Sequence, residues 1–181
     1  RFDFPGRKIL FSIMLATLFL PQVVLNVPQY LLYNKFGWVD SYMPFWVPAL
    51  LACYPFFIYQ LIQFMRGIPR DLDESACIDG CGTFRIFWQI LLPLMKPALF
   101  SAGLFQFLWT YNDYFNSLIF INSVKKYTIS LALRLSVDAE SVVVWGRVMA
   151  MACVAVLPLV LLFFAAQKYF VEGIATSGLK G

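Results

Sequence analysis

Histidine is absent from this sequence, and so are several motifs that catalysis or nucleotide binding would require. The lack of histidine removes the commonest general base and the commonest metal ligand. No Gly-x-x-x-x-Gly-Lys-Ser/Thr loop occurs, so any ATP would have to be bound by another polypeptide. The four cysteines contain no Cys-x-x-Cys pair, and they are Cys53, Cys77, Cys81 and Cys153. We therefore expect reduced packing cysteines, no catalytic residue and no metal site.

Charged residues are also scarce. They make up 13% of the 181 residues, against 61% hydrophobic residues and a mean hydropathy of +0.73. This balance exceeds the apolar share of soluble domains and predicts a protein whose solvent is the lipid bilayer. The net charge of +4 falls in short clusters between long uncharged runs, as loops between spans require. This net charge therefore needs no nucleic-acid partner to explain it, and we expect none.

Four apolar runs have roughly the 20 residues that a helix needs to cross the hydrocarbon core. They cover residues 9–33, 42–65, 97–121 and 148–166, and only the third contains a charge, Asp113. The predicted fold class is all-α, a polytopic membrane helical bundle of about four transmembrane helices forming one domain over residues 1–181. Prolines occur in or at the start of every run, which favours helices that pack on neighbours or surround a wet cavity.

Orientation follows from the distribution of Lys and Arg, because positive residues near the ends of spans stay in the cytoplasm. Nine of the 14 fall on one side, including Arg1, Lys168 and Lys180, and five fall on the other. We therefore expect both ends of this sequence and residues 67–96 in the cytoplasm. The segments near Lys35 and over residues 122–144, which include Glu140, would then lie outside.

Residues 67–96 predict two short helices joined by a glycine turn. Acidic residues follow Pro69, where they complement the positive end of a first helix, and Gly80 and Gly82 end it. Thr83 can cap a second helix that ends near Pro93. One face of this second helix would carry the apolar residues Phe84, Phe87, Trp88, Leu91 and Met95. The pair suits a structure at the membrane surface with a polar end offered to a cytoplasmic partner.

Polar residues in the third run recur at helical spacing. Four of them fall on one predicted face and two lie beside it: Gln106, Thr110, Asp113 and Ser117, with Asn112 and Asn116. Polar groups are costly in hydrocarbon, so this face should look into the protein or a water-filled path. Two interpretations remain open: the face lines a translocation path, or Asn112 and Asp113 bind neighbouring helices or cap a broken one.

The cytoplasmic segment resembles the loop of permease subunits of ATP-binding-cassette importers, whose pattern is Glu-Ala-Ala, three residues, Gly, nine residues, Ile, one residue, Leu-Pro. Every spacing is kept and only the first Ala differs, in the residues Glu74, Ser75, Ala76, Gly80, Ile90, Leu92 and Pro93. Further matches narrow the resemblance to maltose-type carbohydrate permeases and extend it over essentially the whole chain: Ile78, Asp79, Phe87, Pro97, Phe4–Lys8, Gln167–Ile174, and Tyr111–Asp113 where the family usually has Trp-Asn-Asp.

The resemblance implies a coupling helix near Arg70 to Asp79 that docks on a dimer of ATP-binding subunits, with Glu74 meeting a basic residue and Gly80 permitting the turn. The ATPase-coupling residues would be the seven motif residues and Asp79. ATP and Mg would be held by the ATPase, and this chain would need no cofactor of its own. Further implied partners are the bilayer of a bacterial or archaeal cytoplasmic membrane, a second related permease subunit, and an extracytoplasmic solute-binding protein facing residues 122–144.

The family usually has six core spans, so four spans and a start at Arg1 without Met predict an N-terminally truncated sequence. The expected cargo is a sugar or oligosaccharide. Polyols and glycerol phosphates remain alternatives, and a membrane channel or scaffold is a more distant one. A membrane-embedded enzyme would normally show clusters of intramembrane His, Glu or Cys, whereas here the spans hold one carboxylate and no histidine.

Overall fold

The structure, a computed structural model, describes residues 3–51, 53–138 and 143–178. These residues form α-helices with one π-helical and one 3-10 turn, and no strand occurs among them. The chain divides into two compact units, one of Arg1–Gln22 with Leu51–Phe105 and the other of Val23–Leu50 with Gln106–Gly181. Arg1 and Lys180, which were used to predict the orientation, and Glu140 of the predicted external segment lie outside the described residues.

The first unit contains the predicted cytoplasmic segment. Its helices are α1 (Arg7–Leu18), α4 (Pro55–Gly67), α5 (Asp71–Ile78), α6 (Thr83–Ile86), α7 (Leu92–Leu94) and the first part of α8 (Lys96–Asn112). A π-helical turn, Phe87–Leu91, joins α6 to α7. Helices α1 and α4 pack together, with the Arg66 guanidinium 4.7 Å from the centre of the Phe11 ring. A separate core of Ala76, Ile86 and Leu91 holds α5 against the π turn.

The second unit is built around a cluster of aromatic rings. Its helices are α2 (Gln22–Lys35, from Val23), α3 (Met43–Leu50), the end of α8, α9 (Phe115–Phe120), α10 (Ile129–Asp138) and α11 (Trp145–Gly178). The buried Phe120 ring lies 5.2 Å from Tyr33, 6.2 Å from Phe45 and 6.5 Å from Tyr30 between ring centres. Helix α10 packs on α9 and α11, and Leu131 of α10 is fully buried.

Two segments of the described residues are each long and apolar enough to cross a membrane, Met43–Gly67 and Trp145–Gln167. The number rises to four if two bent pairs each form one span: α1 with α2, and Thr83–Leu94 with α8, where the bend is 66°. The break between α1 and α2 contains Pro21, and the break between α3 and α4 ends at Pro55. By contrast, α2 and α11 continue through Pro28 and Pro158. The four span ranges given above stay a prediction.

Candidate functional site

Helix α5 carries the start of the family motif, and its first turn is acidic. Asp71, Asp73 and Glu74 occupy that turn, where the unpaired backbone N–H groups of the helix favour negative charge. The Ser75 hydroxyl donates to the Asp71 carbonyl at 2.8 Å, so it is satisfied within the helix. Ser75 can therefore replace the usual Ala without leaving an unpaired hydroxyl group.

Gly80 ends α5 with a left-handed backbone. Its φ is +78°, and the N–H groups that follow turn back onto the helix. Cys81 N–H donates to the Ala76 carbonyl at 2.9 Å, and Gly80 N–H donates to the Cys77 carbonyl at 3.0 Å. These two bonds form a Schellman motif, which satisfies carbonyl groups that the end of a helix otherwise leaves unpaired. Glycine adopts this conformation without the steric cost that a Cβ atom brings.

The π-helical turn determines which residues of the motif are buried. Ile86 and Leu91 are five residues apart, and both belong to one buried cluster with Ala76 of α5. The prediction of one regular second helix was therefore wrong, because a π-helical turn interrupts it; Leu91 and Met95 are buried, whereas Phe84 and Trp88 are 76% and 52% exposed. A π turn closes its hydrogen bonds over five residues rather than four, which rotates the residues after it relative to an α-helical register. Gly82, not Thr83, is the N-cap residue.

Most of the outer face of α5 is exposed, and it combines negative charge with apolar surface. Ile78 is 86% exposed and Leu72 is 42% exposed. We define the coupling surface as the exposed residues Leu72, Glu74, Ser75, Ile78 and Asp79. Of the other predicted coupling residues, Ala76 is buried, Ile90 and Leu92 are half-buried, and Gly80 and Pro93 are exposed. The structure thus divides the predicted set: Ala76 belongs to the buried cluster and Ile90 packs against it, whereas Glu74, Ser75 and Asp79 are exposed.

The polar residues of the predicted third span do not share one helix. Helix α8 ends at Asn112, and α9 begins at Phe115. The single continuous helical face predicted over Gln106 to Ser117 was therefore wrong. The reason is that Asp113 offers its side chain to the next helix, accepting the Asn116 N–H at 3.0 Å. Such local bonds compete with a continuous helix.

These polar residues form two groups. Asp113 also accepts the Asn116 Nδ2 at 2.6 Å, and Ser117 Oγ donates to the Asp113 carbonyl at 2.9 Å. Separately, Gln106 Nε2 donates to Thr110 Oγ1 at 3.0 Å, while Asn112 Nδ2 donates to a carbonyl of its own helix. Gln106 Oε1 is buried without a hydrogen-bond partner among the described residues, so it retains capacity to accept one. Ser117 is buried, whereas Thr110 and Asn112 are exposed.

Asp40, which no motif in the sequence marks as functional, joins two distant segments of the chain. Asp40 Oδ1 accepts the N–H groups of Asn122 and Ser123 at 3.0 and 2.8 Å. Its Oδ2 accepts the Ser123 hydroxyl at 2.6 Å and pairs with the Lys126 ammonium at 3.0 Å. Nothing in the sequence relates position 40 to positions more than 80 residues away, so only the isolated acid in an otherwise apolar neighbourhood could have drawn attention to it.

The Asp40 carboxyl group is held in its charged form. Hydrogen bonds from Ser123, from its side chain and its backbone, and from Lys126 hold the pKa of Asp40 well below its ordinary value. A lowered pKa means that the carboxylate contributes stability above the ordinary carboxyl range, and that this contribution is lost only as the pH falls through the lowered value. The Asp40 carboxylate therefore remains charged at neutral pH.

Within the described residues, no group of three or more His, Cys, Asp or Glu side chains could hold a metal ion, and the four cysteines are free. The distinctive feature of this segment is an exposed helix, α5, that ends in the Gly80 turn and shares a small buried cluster with Ile86 and Leu91. A comparison with protein families decides the assignment, because the model of the binding-protein-dependent transport system inner membrane component matches residues 1–176. The chain belongs to this family.

Relatives of this transport component have been named for different cargoes. The chain is 32% identical over 181 residues to the trehalose/maltose transport system permease protein MalG of Thermococcus litoralis, covering 100% of this chain and 65% of the relative. It is 34% identical over 174 residues to the sn-glycerol-3-phosphate transport system permease protein UgpE of Brucella abortus, covering 96% and 61%. The chain thus spans less than two thirds of the length of either relative.

A solved structure supports the fold of this chain. The crystal structure of a bacterial ABC transporter involved in the import of the acidic polysaccharide alginate superposes with a TM-score of 0.77 and 21% identity. The match covers 94% of this chain and 64% of that chain. The fold is therefore an all-α membrane helical bundle, as predicted from the sequence, and the family's name places its members in the inner membrane.

The Gly80 turn can be tested with two glycines of one loop. Gly80→Ala places a Cβ atom on a left-handed residue, which costs about 1–2 kcal/mol. Gly82→Ala is the matched control, because Gly82 has φ −72° and ψ 158°, which any residue adopts. We expect hydrogen exchange over residues 71–81 to accelerate in Gly80→Ala and to stay at the wild-type rate in Gly82→Ala. Equal exchange in the two variants would contradict the role of the turn.

Proposed function

We propose that this chain is the membrane-spanning permease part of an ATP-driven importer that takes up a sugar or oligosaccharide. The observation that carries the proposal is the coupling surface, an exposed acidic and apolar face on a helix fixed from behind by buried Ala76 and Leu91. A free helix of eight residues would be marginal in water, so this packing is what makes α5 stiff. A stiff, exposed helix suits the transmission of force to the spans.

The proposed partner at this surface is a dimer of ATP-binding subunits. Glu74 would meet a basic residue in a cleft of the ATPase, and the exposed Ile78 and Leu72 would be buried beside that pair. The ATPase would hold ATP and Mg, and this chain would hold neither. Hydrolysis would then move the two-helix segment as a unit. No catalytic residue of this chain is needed for that step, which distinguishes the importer from a membrane-embedded enzyme.

The remaining assignments complete a transporter of this type. Both ends of the sequence and residues 67–96 would face the cytoplasm, with residues 122–144 facing an extracytoplasmic solute-binding protein. A second, related permease subunit would complete the path. The buried Gln106 Oε1 and the amide of Asn116 support a polar lining near the broken span, where Thr110, Asn112, Asp113 and Ser117 also lie. The membrane would be the cytoplasmic membrane of a bacterium or archaeon.

The cargo class rests on the relatives. One is named for trehalose and maltose and the other for sn-glycerol-3-phosphate, so a polyol or a glycerol phosphate is the second candidate. Both classes present hydroxyl groups that amide and hydroxyl side chains can bind. A channel or scaffold is a third possibility, and it would require neither the coupling surface nor an ATPase.

Reversing one charge on the coupling surface tests the docking. Glu74→Lys should weaken co-purification of the full-length protein with its ATP-binding subunit about tenfold or more, because it places like charges in a closed contact. Gly80→Val should uncouple ATP hydrolysis from uptake or prevent assembly. Asp3→Lys is the control, since Asp3 is also exposed on the predicted cytoplasmic side but lies outside α5. Normal assembly and uptake in both Glu74→Lys and Gly80→Val would refute docking at this surface.

The cargo can be identified through the solute-binding protein encoded beside this gene. We expect one sugar or oligosaccharide to raise its melting temperature, because a ligand at about 100 times its Kd adds about 2.7 kcal/mol of stability. The panel should include polyols and sn-glycerol-3-phosphate. Stabilisation by a glycerol phosphate and by no sugar would replace the carbohydrate assignment with the second candidate.

A further inference from the structure

Each end of the short helix α9 is hydrogen-bonded to an aspartate. At its start, Asp113 accepts two hydrogen bonds from Asn116, one of them from the backbone N–H at 3.0 Å. At its end, Asp40 N–H donates to the Phe120 carbonyl at 2.7 Å. The Asp40 side chain then accepts the N–H groups of Asn122 and Ser123, the second and third residues after the helix. All of these residues belong to the second compact unit.

Helix α9 is too short to hold its position without contacts to its neighbours. It has six residues, fewer than two turns, and an isolated helix of that length is not stable. Its buried residues Ser117 and Phe120 pack inward at 1% and 3% exposure, whereas Leu118 on another side is 48% exposed. The helix is therefore positioned by its neighbours, through the buried Phe120 ring and through the two aspartates that bond its ends.

The contacts around Asp40 form what we call the external clasp, consisting of Asp40, Tyr42, Ser123 and Lys126. Lys126 Nζ donates to the Asp40 backbone carbonyl as well as to its carboxylate. Tyr42, one residue before α3, donates its hydroxyl to the Lys126 carbonyl at 3.0 Å. Asp40 has a left-handed backbone with φ 58°, a conformation that Asp and Asn adopt more readily than most residues. The clasp thus joins the start of α3, the end of α9 and the turn at Val124–Lys126.

The turn held by the clasp also offers an accessible outer face. Val124 is 75% exposed and Lys125 is exposed, while Lys126 points back to Asp40. Under the proposed function, this segment faces the solute-binding protein. A contact there would act on a turn joined directly to α9 by three residues and by the clasp, rather than on a free loop.

We propose that Asp40 is a positioning residue that ties α9 to the external turn at residues 124–126, so that docking of the solute-binding protein on this turn shifts α9. This inference rests on the proposed function and adds a residue and a route to it. Asp113 and Asn116, at the far end of α9, would receive the movement at the break in the third predicted span.

Hydrogen exchange tests the clasp itself, whatever the cargo. In the full-length protein in lipid nanodiscs, Asp40→Asn keeps the shape and the backbone preference but removes the charge. We expect the amides of Asn122 and Ser123 to exchange about tenfold or more faster, since both donate to the charged carboxylate and hydrogen bonds to a charged group are stronger than those to a neutral one. Lys126→Met should give a smaller increase, and the adjacent Lys125→Met should give none. Wild-type exchange in Asp40→Asn would overturn the clasp.

Stimulation of ATP hydrolysis by the solute-loaded binding protein tests the relay. In the reconstituted transporter, Asp40→Asn and Lys126→Met should raise the half-saturating concentration of binding protein several-fold, with a smaller change in the maximal rate. Lys35→Met, which removes an exposed external lysine outside the clasp, should leave the half-saturating concentration unchanged. Unchanged half-saturation in Asp40→Asn despite faster exchange would overturn the relay alone. A wild-type transporter with no response to any binding protein would overturn the proposed function and the relay with it.

Discussion

The buried cluster of Ala76, Ile86 and Leu91 is the interaction on which the predicted cytoplasmic part of the chain depends. Ala76 is the buried residue of α5, and Leu91, at the end of the π turn, is 1% exposed in the same cluster. A larger residue at position 76 would force α5 away from the π turn, and a regular α-helix would bring a different residue to the place of Leu91. The family motif thus has a physical basis: a small residue for close packing, a glycine for the left-handed turn, and a Leu-Pro pair after the π turn. These features fix α5 so that its other side remains free for a partner.

In the second unit, side chains form hydrogen bonds with the backbone groups that a helix break leaves unpaired. Asp113 does so between the end of α8 and the start of α9, and Asp40 does so at the end of α9. Hydrocarbon offers no water to bond these groups, so polar residues gather where a span is interrupted. The scarcity of charge in this sequence makes each of these carboxylates informative. Asp113 lies in a predicted span, and Asp40 lies on the predicted external side.

Much of the fold could be predicted because its signals are local. Hydropathy indicated helices in a bilayer, and the acidic turn before Gly80 indicated a short helix with a glycine end, as the structure has it. The π turn could not be predicted, since the spacing of the apolar residues over 84–95 fits a regular α-helix. The break at Asp113 was among the open alternatives, and periodicity alone favoured a continuous helix. The Asp40 clasp joins segments more than 80 residues apart, and a single sequence carries no signal for such a pairing.

Under the proposed function, α5 presents its outer face to an ATPase. Ile78 is the most direct reporter, because it is 86% exposed at the end of α5 and belongs to the coupling surface. A photo-crosslinking amino acid at position 78 of the full-length protein, in the purified transporter, should join this chain to the ATP-binding subunit. The same group at position 124, on the predicted external side, should not. Crosslinks from position 78 to lipid alone, or equal crosslinking to the ATP-binding subunit from both positions, would contradict the account.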